Sequence, residues 1–221
     1  MPNGERSEPP RPYAGRFITF EGPEGAGKTT QLQLLSEWLR ERGHDALTTR
    51  EPGGTHIGDR IRAILLDPAC TEMLSTAEVL LFSAARAQLV GQVIRPHLEG
   101  GGVVLCDRYS DSTLAYQGYG AGMDRQALRS ITAFATQGLT PDLTILLDLP
   151  VAEGLRRKAA GSDEEWNRME QKARSYHERV RQGYRQLAAA DPRRWAMLDA
   201  TATVETIQTA IRQRVMREIG A

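Results

Sequence analysis

The chain alternates between short apolar runs and longer segments in which apolar residues recur every three or four positions. The short runs predict five β-strands, at residues 16–21, 45–49, 102–107, 143–148 and 195–199. The runs at 102–107 and 143–148 are almost continuously apolar, which is typical of strands buried on both faces. Helical spacing between the strands predicts crossover helices. The pattern therefore favours an α/β fold in which helices flank a five-stranded parallel sheet.

The helical spacing also places individual helices. We predict helices over residues 30–40, 76–94, 124–136 and 162–190. On the second of these, the residues expected to face the core are Leu80, Leu81, Ala84, Ala85 and Leu89. On the last, one face carries Trp166, Met169, Tyr176, Val180 and Tyr184.

Composition narrows the class of protein. A length of 221 residues suits one domain, which we place at 16–221 after a polar N-terminal extension, 1–15, that we expect to be disordered. The 28 Lys and Arg balance the 28 Asp and Glu, so we expect neither nucleic acid nor a membrane as a partner. Neither a signal peptide nor a membrane-spanning run is evident, and the two cysteines lack metal spacing. We expect a cytoplasmic protein.

Residues 22–29, Gly-Pro-Glu-Gly-Ala-Gly-Lys-Thr, join the first predicted strand to the first predicted helix. Glycines here let the backbone curl until successive N–H groups point at phosphate oxygens, and the helix adds the positive end of its dipole. The lysine can reach the β- and γ-phosphates, and the threonine hydroxyl can ligate Mg²⁺. The sequence therefore predicts an ATP site, formed by Gly22, Pro23, Glu24, Gly25, Ala26, Gly27, Lys28, Thr29 and Thr30.

Two polar clusters follow other predicted strands, where open α/β sheets bind their ligands. Arg50 and Glu51 open a turn with two glycines, and Asp107 and Arg108 end the third strand. Asp107 can hold Mg²⁺ through water, and Arg108 can clamp a phosphate with two hydrogen bonds. Taken alone, each cluster is also compatible with a surface ion pair.

Two further clusters lie on predicted helices. Phe82 and Arg86 are four residues apart and share a face, where a ring and a guanidinium group suit a nucleobase. Residues 154–158, Gly-Leu-Arg-Arg-Lys, begin a segment at 154–167 that we interpret as a lid, whose basic residues neutralise transition-state charge. A core phenylalanine and a solvated charged helix are the simpler alternatives.

Four stretches together resemble the thymidylate kinase family of the bacterial type, from about residue 16 to the C-terminus. They are residues 20–30, 50–55, 81–86, and 107–109 with 115–118. The first is shared with many families, whereas Arg-Glu-Pro-Gly-Gly-Thr and Asp-Arg-Tyr with Ala-Tyr-Gln-Gly are highly specific. The resemblance implies a P-loop nucleoside monophosphate kinase fold, transfer of the γ-phosphate of ATP to dTMP, Mg²⁺ as cofactor, and a homodimer.

The resemblance also implies roles for single residues. The substrate-binding residues are Glu51, Arg62, Phe82, Arg86, Arg108, Thr113, Tyr116 and Gln117. The catalytic residues are Lys28, Arg108, Glu24 and Arg157, and the metal ligands are Thr29 and Asp107. Phe82 would stack on thymine, while Arg86 and Gln117 would bond its polar edge. The segment 199–203 would border adenine. One departure is that Arg156, Arg157 and Lys158 are bunched, whereas bacterial members often space their lid arginines.

Two other functions stay open. A kinase that phosphorylates a deoxynucleoside 5′-hydroxyl would need a carboxylate base after the first strand, and Glu24 is compatible with that. Arg108 and the basic run suit a phosphorylated acceptor better. A nucleotide-driven switch is the other alternative, but the sequence has no Asn-Lys-x-Asp motif and no apolar run that ends in paired acidic residues.

Overall fold

A computed structural model describes residues 13–160, 169 and 172–220. The strands are β1 (Arg16–Glu21), β2 (Ala46–Arg50), β3 (Val103–Asp107), β4 (Leu143–Asp148) and β5 (Trp195–Asp199). They form one parallel sheet in the order β2-β3-β1-β4-β5. The predicted α/β fold is confirmed, and each strand bound was predicted to within one residue.

The helices lie between and around these strands. They are α1 (Lys28–Arg40), α2 (His56–Leu66), α3 (Ser75–Leu89), α4 (Arg95–Glu99), α5 (Ser110–Thr113), α6 (Arg125–Thr136), α7 (Val151–Ala160), α8 (Arg174–Ala190) and α9 (Val204–Ile219). Two π-helical segments, Val90–Ile94 and Leu114–Gly120, join α3 to α4 and extend α5. Sequence reasoning did not place α2 or α9, and it treated much of α7 as part of a lid.

The prediction of one helix over residues 162–190 was wrong in its bounds. Helix α8 begins only at Arg174, because Ala173 has the extended backbone of a cap residue. Residues 161–168, 170 and 171 lie outside the described residues, and Trp166 is among them. On α8 the predicted apolar face is correct, since Tyr176, Val180 and Tyr184 are buried. Met169 is buried as well, but it lies in a turn before α8 and not on the helix.

The prediction for α3 was right about the helix and wrong about two of its inward residues. Ala85 and Leu89 are buried, but Leu80 is 57% exposed and Ala84 is exposed as well. Helix α3 instead turns Val79, Ser83 and Arg86 into the protein. Most faces of this helix carry small or apolar residues, so the spacing of apolar residues alone could not identify the buried face.

Packed helices cover both faces of the sheet. On one face, α1 and α9 contribute Leu32, Leu35, Leu39, Ile207, Ile211 and Val215 to the core. On the other, α8 packs against β4, and the continuous run from α3 to α4 packs against β1 and β3. That run, Ser75–Glu99, is long and apolar enough to cross a membrane by length and composition, and 44% of its most apolar window is buried in the protein. Its residues Leu89, Val90, Ile94 and Leu98 belong to the core.

The residues immediately before β1 also pack against the folded domain. Residues 1–12 of the predicted N-terminal extension lie outside the described residues. Gly15 N–H donates to the carbonyl of Leu98 at 3.1 Å, and Arg95 donates to the hydroxyl of Tyr13. Residues 13–15 therefore lie against α4.

The strand order brings separate parts of the chain together at the carboxyl edge of the sheet. Strands β1 and β3 are neighbours, with Phe20 in register with Asp107. The loop after β1 and the residues after β3 consequently emerge side by side. Arg108 N–H bonds the carbonyl of Phe20 at 2.9 Å. Ligands of open α/β sheets bind at such an edge.

Candidate active site

A cleft of about 950 Å³ opens at this edge. Most of the residues that sequence reasoning selected line it together: Glu24, Lys28, Thr29, Glu51, Arg62, Phe82, Arg86, Asp107, Arg108, Thr113, Tyr116 and Gln117. Asp107 ends β3, and the others lie in the loops and helices that follow β1, β2 and β3, so the fold joins residues almost a hundred positions apart. Arg157 is absent from this lining, whereas its neighbour Lys158 is present.

The loop at 22–27 leads into α1 as the sequence predicted. Gly27 caps the helix in the left-handed conformation, with φ of 84°. The buried ammonium group of Lys28 donates to the carbonyls of Gly22 at 3.3 Å and Pro23 at 3.0 Å. Burial, and then the charge of Arg108, lower the pKa of Lys28. An anion in the loop would offset both effects, because a nearby negative charge favours the protonated amine.

Gly25 and Gly154 meet backbone to backbone. A Cβ atom on Gly25 would overlap the carbonyl oxygen of Gly154, and one on Gly154 would overlap the carbonyl oxygen of Glu24. Gly25 also has φ of 69°, which other residues rarely adopt. The loop and helix α7 are therefore in contact with no side chain between them.

Thr29 and Asp107, which the sequence predicted as metal ligands, lie within hydrogen-bond distance of each other. The Thr29 hydroxyl donates to Asp107 Oδ2 at 2.6 Å. No group of three His, Cys, Asp or Glu residues suited to a metal occurs among the described residues. A hydroxyl and one carboxylate fit Mg²⁺, which keeps several waters and takes its other ligands from phosphates.

Arg108 lies at the centre of the cleft in a strained backbone conformation. Its φ is 68°, which is uncommon for a residue with a side chain and is found mostly at functional sites. Its guanidinium donates to the Gly22 carbonyl at 3.0 Å and to Glu24 Oε1 at 2.7 Å. It also lies 5.0 Å from the ring centre of Tyr116. Arg108 is thus held beside the phosphate loop.

Glu24 is an ionised carboxylate close to the positive charges of Arg108 and Lys28. Burial alone would raise its pKa, but Arg108, Lys28 and a hydrogen bond from the Tyr116 hydroxyl lower it to about 2. The Tyr116 hydroxyl donates to Glu24 Oε1 at 2.8 Å. Glu24 can therefore accept a hydrogen bond from a substrate hydroxyl at any physiological pH.

Glu21, the last residue of β1, is a buried acid that sequence reasoning missed. Its carboxylate accepts hydrogen bonds from Tyr109 N–H at 2.8 Å, the Ser112 hydroxyl at 2.6 Å and the Tyr184 hydroxyl at 2.8 Å. Burial, and then the charge of Asp111, raise its pKa to about 7. Tyr184 also accepts from Arg108 Nη1 at 3.2 Å. This network supports Arg108 from beneath the cleft.

Arg86 is almost fully buried, with 1% of its surface exposed. Its Nε and Nη2 lie 2.8 and 2.7 Å from Glu51 Oε2. Burial lowers the pKa of Arg86, but the charge and hydrogen bond of Glu51 outweigh this effect, so the pKa is raised. Nη2 also donates to the Tyr109 carbonyl at 3.3 Å, and Nη1 to the Thr113 hydroxyl at 3.1 Å. A guanidinium has five N–H groups, so these contacts leave one, on Nη1, for a ligand.

Gln117 is held by a second acidic residue, Glu78. Its Nε2 donates to Glu78 Oε1 at 2.8 Å, and both side chains are buried. Phe82 lies near them, half-buried, in the lining of the cleft. Arg62 lines the cleft as well, with Nη1 bonded to the Pro52 carbonyl at 3.0 Å.

The basic run of α7 divides into three different settings. Arg156 is exposed and pairs with Glu153. Arg157 donates to Glu153 at 2.7 Å and to the carbonyl of Ala200 at 3.1 Å, which places it beside the segment predicted to border adenine. Lys158 lines the cleft, and its charge contributes to the low pKa of Glu24. Residues 161–167 of the predicted lid lie outside the described residues.

The residues that sequence reasoning missed share one property. Glu21, Glu78 and Tyr184 act on the cleft through other side chains. Of these three, only Glu21 had a signal in the sequence: it is a charged residue at the end of an apolar strand, where a buried charge needs partners. Tyr184 was correctly assigned to a buried helix face, but its hydroxyl could not be placed from spacing.

Comparisons with known proteins show which family the chain resembles. A family model described as thymidylate kinase matches residues 20–211. A thymidylate kinase of Roseiflexus sp. (strain RS-1) is 58% identical over 205 residues, which are 88% of this chain and 91% of that protein. One of Deinococcus radiodurans is 54% identical over 197 residues, covering 89% and 94%.

A solved structure extends the similarity to three dimensions. The crystal structure of thymidylate kinase from Ehrlichia chaffeensis matches with a TM-score of 0.74 at 30% identity, over 91% of this chain and 98% of that one. The fold is that of a P-loop nucleoside monophosphate kinase. The chain belongs to the thymidylate kinase family.

Proposed function

We propose that the two ends of the cleft divide the substrates, with ATP on the loop at residues 22–30 and dTMP between Phe82, Arg86 and Gln117. The chain is a nucleoside monophosphate kinase that transfers the γ-phosphate of ATP to dTMP, giving dTDP and ADP. One observation carries the assignment of the ends: a single cleft is lined both by Lys28 and Thr29 and by the base pocket. An in-line transfer needs both substrates in one continuous space.

On the ATP side, we assign Lys28 to the β- and γ-phosphates and the loop N–H groups to the phosphate oxygens. Thr29 and Asp107 would hold Mg²⁺, which neutralises phosphate charge when it is bound. The buried position of Lys28 supports this role, since a buried ammonium group needs a negative partner.

On the acceptor side, we assign Arg108 and Arg62 to the phosphate of dTMP. Arg108 contacts Gly22 of the ATP loop, so a phosphate that it holds would lie close to the γ-phosphate. The acceptor phosphate is already anionic at neutral pH, so no general base is needed, and catalysis comes from positioning and positive charge. Glu51 accepts a hydrogen bond from Arg86. We therefore propose that Glu51 orients Arg86 and does not contact the phosphate of dTMP.

The sugar and base contacts follow from the hydrogen-bond inventory. Glu24, ionised and bonded to Tyr116, is placed to accept from the 3′-hydroxyl, and the Tyr116 ring would occupy the space of a 2′-hydroxyl. The remaining N–H of Arg86 matches the 4-oxygen of thymine. Thr113 is bonded to that same Arg86 nitrogen and would lie beside the base.

For the basic run, we propose that Lys158 faces the transferring phosphate and that Arg157 borders the adenine segment. Lys158 lines the cleft, whereas Arg157 is bonded to Glu153 and Ala200. A positive charge facing the transferred group stabilises the negative charge spread over it in the transition state.

We further propose a homodimer formed by α2, α3 and α6. These neighbouring helices expose the apolar residues Ile57, Ile64, Leu80 and Phe134, the last of which is 87% exposed. Covering such residues with a second copy removes apolar surface from water. A cytoplasmic location is supported by the two free cysteines, Cys70 and Cys106, since reducing compartments keep thiols free. No nucleic-acid or membrane partner is proposed.

A coupled assay for ADP release tests the proposal. ADP should form with ATP, Mg²⁺ and dTMP together and should not form when dTMP is withheld. Thymidine in place of dTMP should not support turnover, because Arg108 would lack its phosphate. ADP release that needs no acceptor would indicate a switch-type ATPase, and faster turnover with thymidine would indicate a nucleoside kinase.

A further inference from the structure

Glu78 and Gln117 form a buried polar pair beside the proposed base pocket. Glu78 lies in the first turn of α3, and Gln117 lies in the π-helical segment Leu114–Gly120. Gln117 Nε2 donates to Glu78 Oε1 at 2.8 Å, with Glu78 5% and Gln117 2% exposed. The pair is therefore shielded from water, and its geometry is set by the protein.

The chemistry of the two groups fixes which end of the amide faces the acid. An ionised carboxylate can only accept hydrogen bonds, while an amide has a donor end and an acceptor end. Only the nitrogen of Gln117 can therefore face Glu78. If the amide rotated by 180°, two oxygens would meet at hydrogen-bond distance in a buried place, which is unfavourable.

The amide oxygen of Gln117 is consequently the end that remains for a ligand. Within the described part of the chain, this oxygen accepts no hydrogen bond. Gln117 also lines the cleft. The side chain thus offers an acceptor, and not a donor, to whatever base lies there.

An acceptor at this place distinguishes between pyrimidines. Thymine carries an N–H at position 3 and an oxygen at position 4, so it matches the Gln117 oxygen and the free N–H of Arg86. Cytosine carries a bare nitrogen at position 3 and an amino group at position 4, so both contacts become unfavourable. A freely rotating amide would remove half of this mismatch by turning its NH₂ toward the base.

We propose that Glu78 is a specificity-determining residue, which locks the Gln117 amide with its oxygen toward the base and so excludes cytosine. This inference rests on the proposed base site. Glu78 itself need not touch the substrate, because it acts through the orientation of Gln117.

The test compares the specificity constants of the full-length enzyme for dCMP and dTMP. Glu78→Gln keeps the shape of the side chain but can both donate and accept, so either orientation of Gln117 becomes possible. We expect the dCMP to dTMP ratio to rise about tenfold in Glu78→Gln. Glu99→Gln, the same change at an exposed position on α4, should leave the ratio unchanged.

Glu78→Asp provides the rescue variant, since aspartate is again an acceptor only. Its ratio should stay closer to wild type than that of Glu78→Gln. If both variants shift the ratio equally, or if neither does, the proposed lock is refuted. A purely structural role would lower activity with both substrates and leave the ratio unmoved.

Two more variants keep the outcomes distinct. The exchanged pair Glu78→Gln/Gln117→Glu still presents an acceptor to the base and should therefore keep the preference for dTMP, even if Glu78→Gln does not fold. Equal use of dCMP by the exchanged pair would overturn the inference. Gln117→Leu tests the base site itself: if its discrimination matches wild type, the proposed dTMP site is wrong, whatever Glu78 does.

Discussion

Arg108 Nη2 donates to Glu24 Oε1 over 2.7 Å, and this contact joins the ATP loop to the residues that follow β3. Glu24 belongs to the phosphate-binding motif, whereas Arg108 belongs to the motif that distinguishes this family. The carboxylate thus holds the guanidinium at the boundary between the two proposed substrate positions. Arg108 is oriented before any phosphate arrives, which reduces the entropy lost on binding.

Arg108→Ala should lower kcat/KM for dTMP by about 100-fold or more, because one preorganised positive charge at the transferring phosphate is lost. Steady-state kinetics with dTMP and ATP measure the effect, and circular dichroism checks the fold. Arg217→Ala, at an exposed position on α9, is the matched control and should leave kcat/KM unchanged. Near-normal turnover of a folded Arg108→Ala enzyme would remove Arg108 from the catalytic set.

Lys158→Ala and Arg157→Ala should separate two neighbouring basic residues. Lys158 lines the cleft, so its loss should lower kcat at least tenfold. Arg157 is bonded to Glu153 and Ala200, so its loss should act mainly on the KM for ATP. Steady-state kinetics with each substrate varied in turn measure both effects. The reverse result would restore Arg157 to the catalytic role that the family resemblance implies.

Glu21 should make stability fall as the pH rises toward neutrality. Its pKa in the folded protein is about 7, against an ordinary value of 4.5. Between these values the unfolded chain releases a proton that the folded protein retains, so raising the pH favours unfolding. Relative to Glu21→Gln, the wild type should lose on the order of 3 kcal/mol of unfolding free energy between pH 4.5 and 7.5.

Urea denaturation at several pH values checks this difference in unfolding free energy. Glu24 provides a contrast, because its pKa is shifted in the opposite direction. The pKa of Glu24 is lowered to about 2, so its contribution is present above pH 4.5 and is lost as the pH falls toward 2. Parallel stability curves for the wild type and Glu21→Gln would show that the fold does not raise the pKa of Glu21.

Phe134→Asp should convert the proposed dimer into monomers. A charge at the centre of an apolar contact is desolvated without a partner, which opposes association. Met197→Asp makes the same change at a residue that is 54% exposed on β5, away from α2, α3 and α6, and should leave the dimer intact. Size-exclusion chromatography with light scattering measures the mass. A wild-type monomer, or a dimer that survives Phe134→Asp, would contradict the proposed interface.

The sheet and most of the cleft could be predicted from the sequence because both depend on local signals. Strand β4 is a continuous apolar run, and the loop before Lys28 has a fixed spacing of glycines. Parallel strands then bring their carboxyl ends to one edge, so residues that follow β1 and β3 were expected on the same side of the sheet. That these two strands are neighbours is seen only in the structure.

Other features depend on contacts that a sequence pattern does not carry. Tyr184 and Glu21 are 163 residues apart, and their hydrogen bond requires the finished packing of α8 on the sheet. Leu80 has the same hydropathy whether it faces the core or a second subunit, so periodicity placed it inside. The partner of Gln117 was missed for a similar reason, since Glu78 reads as an ordinary acidic residue in a first helical turn.

The contact between Gly25 and Gly154 limits how the enzyme can respond to ATP. Side chains usually absorb small displacements between packed elements by changing rotamer, but none lies between these two glycines. We therefore expect that a shift of the loop on nucleotide binding would move α7, and Lys158 with it. Filling of the proposed ATP site would then be transmitted to a basic residue that lines the cleft.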